Sequence, residues 1–414
     1  MLLLKNVYLN GAQKDVLIKE NLIDKISDEV KADGVEIIDC KNKAILPTFC
    51  NMHTHASMMF LRGVGEDLEL FDWLNKEIWP REEKLTEESV YHLSKFAILE
   101  MIKTGTTAFL DMYFYTNATI QAVLETGVRA AITYLGIMDI FDDHETSKHI
   151  DNAQKFLSLR MPTTRLQQGL SCHAVYTTSE RLIKTFKQMA KKEDVLFNIH
   201  LSETQKEVND CVEKYGKRPG RLLDEWGVLD KKSVLAHAVH LDDDEIARVG
   251  QSGAVVAHNP VSNLKLNSGQ MPLQKYLNKG LKITLGTDGV SSNNNLSMLD
   301  EMKIAALSGK NQACDCCAAK VNTIFEMATV NGFEALGIKA GRIEEGYLAD
   351  FMLVDLNNVF LNPSYNLISD MVYAADSSCI TDVFCDGKCL MKNGYVKGEE
   401  EIVANFKRVC KDLL

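Results

Sequence analysis

Between Ala44 and Gly289 the chain alternates short apolar, β-branched runs with longer stretches whose apolar residues recur at helical spacing. Eight β-type runs can be marked: Ala44–Met52, Thr106–Tyr113, Arg129–Ile137, Gln167–Cys172, Leu196–His200, Ser233–His240, Gly253–His258 and Lys282–Asp288. Strands separated by helices of ten or more residues predict βα units and a parallel sheet. The first intervening helix has clear ends. Thr86 reads as its N-cap, Val90, Leu93, Ala97 and Met101 fall on one face, and Gly105 stops it. Eight such units, with polar residues at the trailing ends of the strands, favour a closed (β/α)8 barrel over an open doubly wound sheet.

The flanks follow a different pattern. Residues 1–43 carry β-type pieces at Leu2–Leu9, Asp15–Ile18 and Leu22–Ile26, and residues 342–414 carry more at Tyr347–Asp355, Ile380–Cys385 and Tyr395–Lys397. Two β-rich ends around a barrel predict one small composite β-sandwich domain, 1–43 plus 342–414, beside a barrel domain at 44–341.

Bulk properties narrow the class. A chain of 414 residues with 46% hydrophobic residues has ample core for a large catalytic domain and a small companion. The formal charge of −11 argues against a nucleic-acid partner, which calls for a basic surface. Met1-Leu2-Leu3-Leu4-Lys5 does not resemble a secretory signal, and no apolar run reaches the length of a membrane span; a cytoplasmic protein with no membrane partner is expected. The 11 cysteines form no disulfide framework and read as reduced and mostly buried. Their one cluster, Cys314-Asp315-Cys316-Cys317, lacks four ligands at finger-like spacing and is expected to be a helix-associated apolar cluster.

The chemistry lies in the histidines. There are only 10, and seven fall at the ends of the predicted strands: His53, His55, His173, His200, His237, His240 and His258. Asp288 ends the last strand. Groups delivered from the C-terminal tips of several strands point to an active site on a β/α barrel. Neutral imidazoles with one carboxylate suit a catalytic divalent metal with a position left open for water. His53 and His55 lie on one side of an extended strand and can face one ion. A lone strand-end histidine is more often structural, but ligand-type residues on strands one, five, six and eight together favour a metal site. His200-Leu-Ser-Glu203 adds a carboxylate able to reach the substrate and move a proton. Asp288 could ligate the metal and hold the nucleophilic water, and His237 could hydrogen-bond that water or the developing charge. No lysine occupies the fourth strand to bridge two metals, so one ion is the simpler site. His240 and His258 read as outer partners or packed polar residues; His92, in the first helix, and His144 and His149, in a polar loop, read as uninvolved.

Several segments resemble the amidohydrolase superfamily. They are Leu46-Pro47…Asn51-Met-His53-Thr-His55-Ala, Gly105-Thr-Thr107…Asp111-Met-Tyr113, His173-Ala-Val-Tyr176, His200-Leu-Ser-Glu203-Thr and His237-Ala-Val-His240-Leu. His258-Asn-Pro-Val-Ser-Asn-Leu-Lys-Leu266 and Gly286-Thr-Asp288-Gly…Ser292-Asn-Asn-Asn295 narrow the resemblance to the 5-methylthioadenosine/S-adenosylhomocysteine deaminase branch, near the triazine-hydrolase-like enzymes. It runs along the whole chain, through Gly341-Arg-Ile-Glu-Glu-Gly346…Ala349-Asp350.

The resemblance implies a distorted barrel with a composite β-sandwich and one divalent metal, zinc before iron or manganese, on His53, His55, His200 and Asp288. It makes Glu203 the proton shuttle and His237 the group that polarises the hydroxide. His173 would contact the purine and Glu82 the ribose hydroxyls. The implied reaction is hydrolytic deamination of the adenine of 5′-methylthioadenosine, S-adenosylhomocysteine or adenosine-type nucleosides to hypoxanthine, releasing ammonia. The partners are then a small-molecule nucleoside and water, with a homo-oligomer expected. One departure bears on the substrate. Some members carry an arginine at the end of strand three and another in the following loop; here Tyr134 stands at the first place and no arginine occurs from Leu135 to Leu159. Lys148 could offer only a point charge. This favours methylthioadenosine, adenosine or 5′-deoxyadenosine over S-adenosylhomocysteine. The alternatives are an aminohydrolase or chlorohydrolase acting on guanine, cytosine or an aminotriazine, and a non-catalytic scaffold, against which the complete ligand set argues.

Overall fold

A computed structural model describes residues 1–139 and 143–413. Eight parallel strands lie side by side in chain order: Phe49–Thr54, Thr106–Tyr113, Arg129–Gly136, Leu166–Cys172, Leu196–Leu201, Ser233–His237, Val255–His258 and Lys282–Leu285. We number them one to eight. Strands eight and one close the barrel only at its upper end. Thr54 bridges Asp288, the Asp288 N–H donates to His53 O at 2.9 Å, and Asn51 bonds Thr287 through both side chain and backbone. Five of the eight strands are buried along their whole length, and the other three along most of it, which is why they read as apolar runs without alternation.

The helix after strand one spans Glu87–Lys103, with Thr86 as its N-cap as expected and Ser89 completing a capping box. At the N-terminal end of the barrel Met52, Leu110, Ala131, Leu196 and Val234 pack with Phe333 and Leu336, so the helix Val330–Ala335 plugs that end. The other end is left to polar side chains.

Both termini build a second, mixed sheet of nine strands. Strand Lys43–Pro47 pairs antiparallel with Phe351–Asp355, which joins the two ends of the chain. Leu4, Val16, Ile18 and Ile45 pack with Phe351, Leu353 and Phe384 in a core of their own, so the sheet folds over itself as a sandwich. Arg129, buried at the start of strand three, bonds Asp350 through two nitrogens and also Asp386, fixing barrel to sheet.

Three expectations need correction. The run Ala44–Met52 divides at Thr48: Lys43–Pro47 belongs to the terminal sheet and Phe49–Thr54 to the barrel. His144 and His149 lie in a helix, Asp143–Ser158, rather than a polar loop. The C-terminal region also carries a helix, Glu399–Leu413, which packs its Phe406 ring on Phe96 at 3.8 Å.

Candidate active site and metal centre

The tips of the strands bring the expected residues into one buried cluster. His53 Nε2 lies 3.2 Å from His200 Nε2 and 3.6 Å from Asp288 Oδ1, and His55 Nε2 lies 3.2 Å from the same oxygen. Four donors held about 2.0–2.1 Å from one ion in a tetrahedral array stand roughly 3.3–3.4 Å apart, so these spacings fit a single divalent ion. His237 also belongs to the cluster with His53 and His200. Burial keeps His53 and His237 down at about 4 and His200 well below its ordinary value, so they present neutral nitrogens. Burial would lower His55 as well, but the Asp288 carboxylate and the Met112 carbonyl outweigh it and push it up to about 9. Among the described residues lining the pocket there is no lysine or arginine to balance buried Asp288. The carboxylate and the imidazole nitrogens around it form a donor set that suits a divalent cation.

The donors are themselves held. His55 Nδ1 bonds Met112 O at 2.6 Å, which turns Nε2 inward. Asp288 Oδ2 accepts from the hydroxyls of Ser262 at 2.6 Å and Ser292 at 3.0 Å, leaving Oδ1 toward the histidines. Gly286 is required by close approach: a Cβ there would lie 2.8 Å from the His53 backbone nitrogen.

Glu203 sits above the donors, its Oε2 3.8 Å from His237 Nε2. Burial first, then the Asp288 charge, pushes its carboxyl up to about 8, against the Ser268 hydroxyl, which donates to Oε1 at 3.0 Å. Behind it, buried Glu207 accepts the N–H groups of Ser202 at 2.9 Å and Glu203 at 2.8 Å. Asn263, placed with its amide nitrogen 2.9 Å from His237 Nδ1, makes that atom the acceptor and leaves the proton on Nε2.

His173 pairs Nδ1 with the Thr177 hydroxyl at 2.8 Å, so its other ring nitrogen is available to a ligand. Glu82 lines the same pocket and accepts from the Tyr113 hydroxyl at 2.5 Å; burial raises its carboxyl. Past Glu82 the pocket opens into an outer chamber of about 830 Å³, with Tyr134, Lys148, His149 and Asn152 on its wall.

Residues 44–390 match the amidohydrolase family. The chain belongs to that family. It is 43% identical to a 5-methylthioadenosine/S-adenosylhomocysteine deaminase of Thermococcus onnurineus, over 94% of each chain. It is 42% identical to a 5′-deoxyadenosine deaminase of Methanocaldococcus jannaschii, over 97% of this chain and 96% of that one. A crystal structure of an adenosine deaminase from Xanthomonas campestris with bound zinc superposes with a TM-score of 0.93 at 28% identity, covering 100% of this chain and 98% of that one.

Every residue expected at this family's site lies on the described pocket or in the donor cluster. Others were not foreseen. Ser262, Asn263 and Ser292 lie inside the runs that carried the resemblance, which was the available signal. Ser268 and Glu207 stand outside those runs. His240 proves an outer partner, its Nε2 bonding Ser268 O at 2.6 Å, whereas His258 is buried with neither ring nitrogen bonded. His149, expected to be uninvolved, bonds Tyr134 at 3.2 Å on the chamber wall, and Lys148 pairs with Glu145. Cys314, Cys316 and Cys317 are exposed, not the apolar cluster expected, because their turn projects from the helix that precedes it.

Proposed function

We propose that the protein is a hydrolytic deaminase of adenosine-type nucleosides, converting adenine to hypoxanthine with release of ammonia. The observation that carries this reading is a buried carboxyl, Glu203, set beside a ring of three histidines and one aspartate in a pocket that continues past Glu82. The relatives at 42–43% identity, both nucleoside deaminases by name, support the substrate class.

Zinc is the proposed ion, on His53, His55, His200 and Asp288: imidazole and carboxylate donors suit it, and the Xanthomonas campestris neighbour was solved with zinc. A divalent ion there would supply Lewis acidity, bringing the pKa of water toward neutrality. Glu203, protonated near pH 7, gives its proton to the purine nitrogen next to the amino-bearing carbon and makes that carbon electrophilic. The His237 Nε2 proton meets the negative charge that grows on the attacking oxygen. Asp288 takes the proton that water gives up and passes it to the amino group, which departs as ammonia, while the proton of the new hydroxyl returns to Glu203 as the carbonyl forms. His173 holds the purine and Glu82 accepts from the ribose hydroxyls. The described residues on the outer chamber wall include no arginine, which supports small 5′ groups over the amino-acid tail of S-adenosylhomocysteine.

The test is ammonia release, with the ultraviolet shift from adenine to hypoxanthine, on zinc-reconstituted protein. The panel is methylthioadenosine, S-adenosylhomocysteine, adenosine, 5′-deoxyadenosine, guanine, cytosine and an aminotriazine. Turnover of the adenosines is expected, lowered about 10²–10⁴-fold by Glu203→Gln. Turnover of a free base or triazine with silence on every nucleoside overturns the substrate assignment.

A further inference from the structure

Cysteine is among the most buried residue types, and Cys40, Cys50, Cys172, Cys211, Cys379 and Cys385 are buried here. Cys314, Cys316 and Cys317 break that rule together, all exposed within four consecutive residues. They occupy the turn between the helices Met298–Ala313 and Val321–Ala328. The turn is fastened from several sides. Lys310 Nζ donates to the carbonyls of Cys316 at 2.9 Å and Ala318 at 2.6 Å, and the Ala319 N–H donates to Gln274 Oε1 at 2.8 Å. Asp315 Oδ1 accepts the Cys317 N–H at 2.8 Å, and Cys314 ends the first helix in the left-handed region, φ 50°. The thiols are therefore presented on a fixed backbone, and their ordering is already supplied by the fold.

A carboxylate oxygen of Asp315 and the sulfurs of Cys316 and Cys317 lie within 4.8 Å of one another. Sulfur at about 2.3 Å and oxygen at about 2.0–2.2 Å from a common ion would stand roughly 3.4–3.8 Å apart, a closure that side-chain rotation can make. We propose that this turn is a second metal site, separate from the catalytic centre, which takes one soft, thiophilic divalent cation on Cys316, Cys317 and Asp315. Cys314, one residue upstream, carries a further thiol, which donates to Asn311 O.

Chemistry distinguishes the two sites. The catalytic cluster offers imidazoles and a carboxylate, whereas this turn offers adjacent thiols, which prefer softer ions. Each thiol gives up its proton as its sulfur joins the ion, so uptake releases protons and strengthens as pH rises. None of the three residues lines the catalytic pocket.

The experiment uses the reduced protein with its catalytic ion in place and cadmium as the probe. Thiolate-to-cadmium charge transfer absorbs in the ultraviolet, and a histidine–aspartate centre gives no such band. One cadmium per chain with that band is expected, together with protection of Cys316 and Cys317 from a thiol-alkylating reagent. Cys316→Ser alone should weaken uptake at least about tenfold, the smaller of the losses seen even when an outer partner of a metal is removed. The double variant C316S/C317S should lose the band while keeping its melting temperature and its turnover. Cys389→Ser, which removes an exposed thiol elsewhere, should change nothing. Absence of the band in reduced protein, or a band that survives in the double variant, overturns the proposal. Neither result depends on which substrate the catalytic centre accepts.

Discussion

Ser268→Ala isolates the one hydrogen bond that works against protonation of Glu203. Burial and the Asp288 charge hold the proton on Glu203, pushing it up to about 8, while the Ser268 hydroxyl donates to Oε1 at 3.0 Å and favours the charged form. Both side chains are buried, so water does not replace the lost donor cheaply. A hydrogen bond to a charged group is worth about 1.5–3 kcal/mol. At about 1.36 kcal/mol per pKa unit, removing it raises Glu203 by about 1–2 units. The backbone at this position stays in place, because His240 Nε2 holds Ser268 O at 2.6 Å whatever the side chain. If turnover begins from protonated Glu203, activity is lost as pH rises through its pKa, and that limb of the kcat/KM profile moves up by about 1–2 units in Ser268→Ala. The weaker acid also donates less readily, so kcat at neutral pH falls. Ser268→Thr keeps the hydroxyl and the original limb. The assay is ammonia release across pH with the ion at saturation. A limb that stays put or moves down refutes the argument, as does a threonine variant that shifts as far as alanine.

Other consequences are open to direct measurement. Stripping the ion with a chelator should abolish turnover and lower the melting temperature, since an ion at 100 times its Kd stabilises by about 2.7 kcal/mol; identical melting with and without ion would remove the ion from this cluster. Glu82→Ala should raise KM for nucleosides about tenfold or more, the loss of one charged hydrogen bond, with little change toward a free base. An unaltered nucleoside KM would place the ribose elsewhere. Glu207 is pushed up to about 8, chiefly by burial, so the folded state binds its proton more tightly than the unfolded chain does. Its contribution is full below about pH 4.5 and is lost as pH rises toward 8, at up to about 1.4 kcal/mol per pH unit. Urea unfolding of ion-free protein at pH 6 and 8 should show that fall, reduced in Glu207→Gln; an equal fall in both proteins would assign it to another group.

The barrel strands are legible because a strand buried on both faces must be apolar throughout, and the helices between them because one face must match. Failures occur where that logic is silent. Lys43–Pro47 and Phe49–Thr54 are both apolar, so only their pairing partners reveal that Thr48 separates two sheets. The helix Asp143–Ser158 buries only Thr146, Ala153 and Phe156, too few to print a period on the sequence. The donors were legible because H-x-H places two side chains on one side of a strand end and because His200, with Glu203 just past it, and Asp288 close other predicted strands. Their supports were harder to find. Ser268 reaches Glu203 across 65 residues and Asn263 reaches His237 across 26, contacts that no local spacing encodes.

The backbone beneath the chemistry carries the same message. Ser202, His237, Ala238 and Asp288 all lie in the left-handed region, at φ 47°, 70°, 50° and 61°, and none is glycine. Such positions cost about 1–3 kcal/mol each and persist only where their surroundings over-determine them. The restraints are visible. Glu207 binds the N–H groups of Ser202 and Glu203, Leu201 O receives the Ala238 N–H at 2.9 Å, and His53 O receives that of Asp288. Each strained residue marks the place where a barrel strand gives way to a loop, and each carries or adjoins a group of the site. A relaxed strand end would continue the alternation of faces and turn its next side chain away from the barrel axis. Strain held by buried hydrogen bonds instead points Glu203, His237 and Asp288 at one small volume, so the fold spends stability where the reaction needs fixed geometry.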